Sequence, residues 1–501
     1  MAKEIANNLA WDGEAPVGKG LPVRRKLRVG IIDADLLDHG TRHPNLALMK
    51  LSGWYNHVRR DGTDISDRII YPSDEERESG ARLVLEDELA ACTTPEQLVG
   101  PNGKFEKLVV SKVFDFSKLH PLLEKAFSMT RRKGWLKEAD EDISCYSEAT
   151  PRIVYGGTGF KTGLKELPKN LPKEIEHWFP DYHLYDKMVE VETGPGKGKK
   201  RTWYKDYLDY SIGFTSRGCF RHCPFCVNRH YNNVTPHSDL IEFVDPARKF
   251  IYLWDDNFLG LIGHANDKCE AVKSGRVTWE TILEDLRKVG KSFQFRQGLD
   301  IRDMTYELAS KLSSCRYHGD YIFAFDHYTQ KRYVAKGLLS WKRANPDNVP
   351  KLYVLTGFRC SDNGPSGEVD DILNTMRRIR ILMHFGSLPY LMRHLDYKGS
   401  TFKGLYTQLA RWCNQPNFFK KKSFREYVDA NQRYHEAQKG VRHKKATCAC
   451  KDALDAFEAS DLVSSEGMTT QQIADEFFDL RWDDFRDCWK NGAYGEPGLL
   501  D

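Results

Sequence analysis

The chain has 501 residues, 40% of them hydrophobic and 29% charged, with a formal net charge of +4. That length exceeds what a single hydrophobic core usually serves, so two or more domains are expected. The near balance of charge does not by itself argue for nucleic-acid binding. Twelve cysteines are too sparse for a disulfide scaffold and point to a reducing compartment. No run approaches the ~20 apolar residues of a membrane span, and the opening MAKEIANNLAWDGEAP holds no apolar signal region. The expectation is a cytoplasmic chain with no membrane partner.

Residues 1–26 read as a polar arm. Leu27–Asp33 is a short apolar run ending in acid, as a buried parallel strand would. A loop over Ala34–Pro44 and a helix over Asn45–Trp54 follow. Next come a weaker strand at Arg68–Tyr71, a helix around Glu75–Ala91 and a strong strand at Lys107–Phe114. A helix at Pro121–Thr130 precedes the strand Arg152–Tyr155, which runs into Gly156-Gly-Thr-Gly159. Alternation at this interval predicts a doubly wound α/β domain over 27–160. Its ligand crevice is expected at the carboxyl ends of the strands, near Asp33–His43, Phe114–Ser117 and Gly156–Gly159. Residues 161–208 read as a linker, punctuated by Pro168, Pro172 and Pro180 and carrying the basic loop Gly194–Arg201.

From Asp209 a second α/β series begins. The strand Tyr210–Thr215 runs into Gly218-Cys-Phe-Arg-His-Cys-Pro-Phe-Cys226, a C-x3-C-x2-C cluster. Three thiolates within eight residues can converge on one soft-metal centre, and a fourth cysteine is missing nearby. Closed zinc sites and fully ligated iron–sulfur clusters take four ligands. A [4Fe–4S] cluster held by three leaves one iron with an open position. Two other readings stay open: a zinc knuckle recruiting His222 or His230, and surface cysteines with no metal. Arg217, Arg221 and Arg229 flank the cluster, where positive charge favours a reduced iron–sulfide centre or simply meets solvent.

The next strand, Phe250–Trp254, stops at Asp255-Asp-Asn-Phe258. After a helix at Thr278–Val289 comes Ser292–Asp300, where Arg296, Gln297, Asp300 and Arg302 crowd one strand end. Such density needs a bound polar group or an internal salt bridge from Asp300. Following a helix at Tyr306–Ser313, the strand Asp320–Phe325 ends at Asp326-His327. His327 is a candidate to act on substrate or is ordinary surface. Lys351–Thr356 ends at Gly357, and beyond a helix at Val369–His384 lies a sixth strand, Leu388–Arg393.

The cysteine spacing, Phe225 before the last cysteine, the Asp255–Phe258 strand end and the run of six strands resemble the radical S-adenosylmethionine superfamily over residues 209–395. The resemblance implies a (β/α)6 partial TIM barrel with its site at the carboxyl ends of the strands. It implies a [4Fe–4S] cluster on Cys219, Cys223 and Cys226, with S-adenosylmethionine chelated at the open iron. Reductive cleavage then gives a 5′-deoxyadenosyl radical that abstracts hydrogen from a substrate. Asp255, Asp256 and Asn257 would receive the cofactor ammonium. Arg296, Gln297 and Asp300 would receive ribose, cofactor carboxylate or substrate, and Gly357 would lie near the adenine. An electron donor such as flavodoxin or ferredoxin is implied.

The domain ahead of this core resembles the flavodoxin-like cobalamin-binding domain of one radical subgroup. Its Asp35-Leu-Leu-Asp-His39-Gly40 departs from the D-x-H-x-x-G pattern that supplies a cobalt ligand. A cobalamin-dependent radical methyltransferase is the narrower form of this reading.

Residues 396–501 read as a helical extension. Phe418 and Phe419 beside Lys420–Lys422 can stack bases and neutralise phosphates, or open a helix that buries its aromatics. Cys413 is a candidate thiol for the active site or a core cysteine. Arg442-His-Lys-Lys and the pair Cys448-Ala-Cys450 lie in a polar tail, and Thr470–Trp489 reads as a docking helix. The rival from another class is a zinc-binding nucleic-acid module without catalysis.

Overall fold

The computed structural model describes residues 27–40, 43–138, 152–160, 171–188, 209–437 and 448–490. The arm at 1–26, the basic loop Gly194–Arg201 and Arg442-His-Lys-Lys lie outside them. The chain is mixed α/β with parallel sheets. It divides into two compact units, residues 1–255 with 265–293, and 256–264 with 294–501. All three crossings fall inside the segment 209–395.

The first unit is built on β1 (Val29–Asp33), β2 (Ala81–Leu83), β3 (Lys107–Ser111), β4 (Leu136–Glu138) and β5 (Ile153–Gly156). They form one sheet in the order β2–β1–β3–β5–β4, every pair parallel. Alternation along the strands gives each face its own core. Ile31, Val109 and Val154 face α2 (Leu46–Tyr55), while Ile32, Leu108, Val110 and Ile153 face α3 (Pro121–Arg132).

Four departures from the sequence reading have physical causes. Ala34–His39, expected as a loop, is the short helix α1, capped by the Asp33 carboxylate on the Leu36 N–H. The expected helix Glu75–Ala91 is broken, because its middle supplies β2 to the sheet edge. The described part of the expected linker, 171–188, is core: Ile175, Trp178, Phe179, Tyr182, Leu184 and Tyr185 all pack onto the β1 face with α2. Prolines punctuate that segment, yet its aromatic content is what decides its place. Arg68–Tyr71 is also not part of the main sheet, since Ile69–Ile70 pairs antiparallel with Arg59–Arg60.

Still in the first unit, β6 (Tyr210–Gly213) pairs in parallel with β7 (Phe250–Leu253), from Phe250↔Tyr210 to Leu253↔Gly213. Leu46 of α2 packs on Tyr210, Ile212 and Tyr252 of this pair, and the Tyr182 hydroxyl bonds the Ile212 N–H at 2.7 Å. α4 (Trp279–Val289), closed by Gly290 in the left-handed region, leads to β8 (Ser292–Phe295), on the other edge of β7.

In the second unit, β9 (Ile322–Ala324), β10 (Lys351–Thr356) and β11 (Leu388–Arg393) form a parallel sheet in that order. Asn414 covers the outer edge of β11 with two bonds to the Leu391 backbone, 2.7 and 3.1 Å, which blunts an otherwise open strand edge. The helices are α5 (Tyr306–Ser313), α6 (Lys331–Ala344), α7 (Gly364–His384), α8 (Lys403–Cys413), α9 (Phe424–Ala437), α10 (Ala449–Glu458) and α11 (Thr470–Phe477). The described residues from 396 onward are helices joined by turns and loops, with an isolated antiparallel bridge at Val463↔Thr469.

Candidate functional site

The cysteine loop leaves the carboxyl end of β6 and returns through a short antiparallel stem, Ser216↔Pro236 and Arg217↔Thr235. The His237 and Ser238 amides bond the carbonyls of Thr215 and Phe214 at 2.9 and 3.2 Å. Gly218 opens the loop with φ +95°, and an added Cβ would lie 2.6 Å from the Asn233 carbonyl oxygen. A side chain is excluded there twice over, by conformation and by space. Within the loop, His222 sits at φ +49°, its Nδ1 2.7 Å from the Arg229 carbonyl. Arg229 in turn donates to the Pro224 carbonyl at 2.9 Å, so ring and guanidinium tie the two limbs together.

Cys219, Cys223 and Cys226 are half-buried on this loop, and the Asn228 amide lies 3.4 Å from Cys226 Sγ. Among the described residues no three His, Cys, Asp or Glu side chains are gathered closely enough to hold a metal ion. The flanking arginines differ in setting. Arg217 lies over the Phe214 ring at 4.0 Å and Arg221 over Phe220 at 4.2 Å, while Arg229 is spent on the loop itself.

Beneath the stem lies Asp255, at the end of β7 and 2% exposed. Its Oδ1 accepts from Thr215 Oγ1 at 2.6 Å, the Ser216 amide at 2.6 Å and Ser216 Oγ at 2.7 Å; its Oδ2 accepts from the Thr215 amide at 3.2 Å. Burial pushes this carboxyl up to about 6, against the lowering effect of those four donors. The oxygens expected to meet a cofactor ammonium are thus engaged by the strand that launches the cysteine loop. Next to it, the indole Nε1 of Trp254 is buried with no hydrogen-bond partner among the described residues.

A second charged group braces the same stem from the first sheet's side. Glu176 meets Lys50 of α2 and His237 of the stem, each at 3.4 Å. Burial would raise the Glu176 pKa, but Lys50, His237 and Arg217 outweigh that and hold it well below the usual carboxylate range. Sequence reading missed Glu176 and His237, because nothing local marks residues sixty positions apart as neighbours.

The remaining expected site residues belong to the second unit. Asp256 is half-buried and Asn257 buried, leading into the short turn Phe258–Leu261. Arg296 donates to Gln294 Oε1 at 2.9 Å, while Gln297 is exposed. Asp300 forms a two-pronged pair with Arg302, at 2.6 and 2.7 Å, and caps the turn at Ile301–Asp303. The internal salt bridge therefore exists, and the polar density at this strand end is met within the chain. Gly357 has φ +75°, and an added Cβ would come 2.6 Å from Tyr397 Cβ. The close approach that this glycine permits is that of Tyr397. His327 is exposed and holds the Thr329 hydroxyl at 2.7 Å as a turn cap.

In the first sheet, the crevice expected at the strand ends is partly filled by the chain. Asp35 accepts from the Val113 and Phe114 amides and from Ser117 Oγ, and His39 Nε2 lies 2.9 Å from Ser117 Oγ. A Cβ on Gly159 would fall 2.5 Å from the Phe114 carbonyl oxygen. The glycines after β5 therefore serve contact between neighbouring loops. Phe114 and Phe116 stack at 5.2 Å beside His39 and remain exposed.

The C-terminal candidates resolve by burial. Phe419 is fully buried against Trp412 and Trp482, so it is not a base-stacking surface, while Phe418 is partly exposed. Burial drives the Cys413 thiol well above its ordinary value. Cys450 donates to Gln408 at 2.9 Å and is raised to about 11 by burial and by neighbouring Cys448. These thiols are protonated core groups near neutral pH. No described helix is long and apolar enough to cross a membrane. No protein-family model matches the chain, and neither does any curated protein sequence.

Proposed function

We propose that the chain is a radical S-adenosylmethionine enzyme whose [4Fe–4S] cluster is held by Cys219, Cys223 and Cys226. The observation that carries this reading is a C-x3-C-x2-C loop launched from the carboxyl end of a parallel strand, with the neighbouring strand ending in Asp255-Asp256-Asn257. The six strands met in chain order over 209–395 are read as a (β/α)6 partial barrel, and the domain before them as flavodoxin-like.

The donor set suits the cluster: three soft sulfur ligands on one loop, and no nearby fourth cysteine to close the site. The buried indole Nε1 of Trp254 offers a donor at the same strand end. When bound, the cluster and S-adenosylmethionine supply reductive formation of a 5′-deoxyadenosyl radical, with an electron from a flavodoxin- or ferredoxin-like donor. The chain's own part is to hold the loop stem and to present Asp256, Asn257 and Arg296 at strand ends.

Cobalamin has weaker support, since the glycines after β5 and the carboxylate of Asp35 are used in local packing. A zinc site remains the second reading on one observation. With its Nδ1 at the Arg229 carbonyl, His222 keeps Nε2 as the ring nitrogen suited to a metal. Release of 5′-deoxyadenosine on anaerobic reduction with S-adenosylmethionine tests the enzyme reading. Turnover in the wild type and none in a Cys226→Ala variant is the expected result; no release from iron-loaded protein would overturn it.

A further inference from the structure

We propose that Asp255 is the positioning residue of the cysteine loop, holding the stem from which Cys219 projects rather than receiving a cofactor group. The inference rests on the cluster reading for its consequence but not for its geometry. Four donors from two consecutive residues, the amides and hydroxyls of Thr215 and Ser216, converge on one buried carboxylate between 2.6 and 3.2 Å. Thr215 is 4% and Ser216 0% exposed, so no solvent replaces the carboxylate if it is lost. The other side of these two residues is already committed to the returning limb, through Ser216↔Pro236 and the His237 amide on the Thr215 carbonyl.

The clamp therefore fixes the exit direction of the chain three residues before Cys219. It does so with an ionic acceptor, which binds amide donors roughly twice as strongly as a neutral one. Gly218, in the positive-φ region open to glycine, then begins the loop. An amide at position 255 presents one acceptor oxygen and two donors to four donors, so Asp255→Asn keeps the volume while breaking the convergence. Asp255 was a natural candidate for the cofactor ammonium from its place at a strand end, but Oδ1 already accepts three hydrogen bonds and Oδ2 a fourth, so the roughly four acceptor sites of the carboxylate are matched by the four donors of the stem.

Hydrogen exchange of the full-length protein, with and without iron–sulfide loading, tests this alongside iron content and the electron paramagnetic resonance spectrum of the reduced protein. In Asp255→Asn, exchange at Thr215–Cys226 should rise about tenfold or more while the first sheet stays protected, with iron bound falling by half or more. Thr215→Val combined with Ser216→Ala should give the same pattern, since it removes the other half of the clamp. Unchanged exchange across the loop in both variants overturns the inference. Unchanged iron and spectrum, with loss only of the spectral response to S-adenosylmethionine, also overturns it and makes Asp255 a cofactor ligand. A wild type that takes up no iron defeats the cluster reading, and the exchange result then still decides the clamp.

Discussion

Asp33 and Asp255, both almost fully buried, lie at the carboxyl ends of strands in two different sheets, and burial pushes both carboxyls up to about 6. Asp33 caps α1 and accepts from the Tyr185 hydroxyl at 2.8 Å, which offsets part of that cost. Its folded value lies above its unfolded value of 3.8, so between the two the folded state keeps the proton more tightly. Stability contributed at this residue therefore falls as pH rises through that window, and above about pH 6 the full penalty applies. The scale is on the order of 3 kcal/mol. Asp33→Asn removes the charge but keeps an acceptor for Leu36. Urea unfolding should show this variant gaining on the wild type between about pH 4 and pH 7. A pH-independent difference would show that Asp33 does not titrate in this range.

At this scale the cysteines were plain in the sequence because ligand spacing is local. Partners were not. Asp300 with Arg302 was legible as an alternative because the two are neighbours in the chain, whereas Glu176 with His237 depends on the fold.

Elements fixed by long apolar runs were readable, and those fixed by their neighbours were not. β1, β3, β5, β6, β7 and β9–β11 lie within about three residues of the runs that announce them, whereas β8 starts with its run but stops at Phe295, short of Asp300. β2 is three residues in a charged stretch, and only the edge of β1 makes it a strand. Gly337, inside α6, shows the same dependence on context. Glycine in a helix interior normally costs about 1 kcal/mol relative to alanine. Here an added Cβ would overlap the carbonyl oxygen of Ile301, so the helix needs the bare backbone. Gly337→Ala should therefore destabilise by roughly 1–3 kcal/mol, the reverse of the propensity rule, as read by thermal unfolding. A gain in midpoint would mean that α6 can withdraw from Ile301 at no cost.

For the whole molecule, alternation of strands and helices made the α/β class legible, and it holds across both units. Proline spacing marks 171–188 as a linker, whereas its aromatic side chains bury onto the first sheet. One consequence is that the stem of the cysteine loop is braced by residues far ahead of it, Lys50 and Glu176 among them. The geometry of the loop stem is tied to the first sheet's α2 face through those contacts.

The central claim is that Cys219, Cys223 and Cys226 together hold one iron–sulfur cluster. Iron, sulfide and zinc measured on anaerobically reconstituted protein test it most directly, in the wild type and in a variant with all three cysteines changed to alanine. The account predicts about four irons and as many sulfides per wild-type chain, and their joint loss in the variant. One zinc per chain, or iron that survives removal of the three thiols, would contradict it.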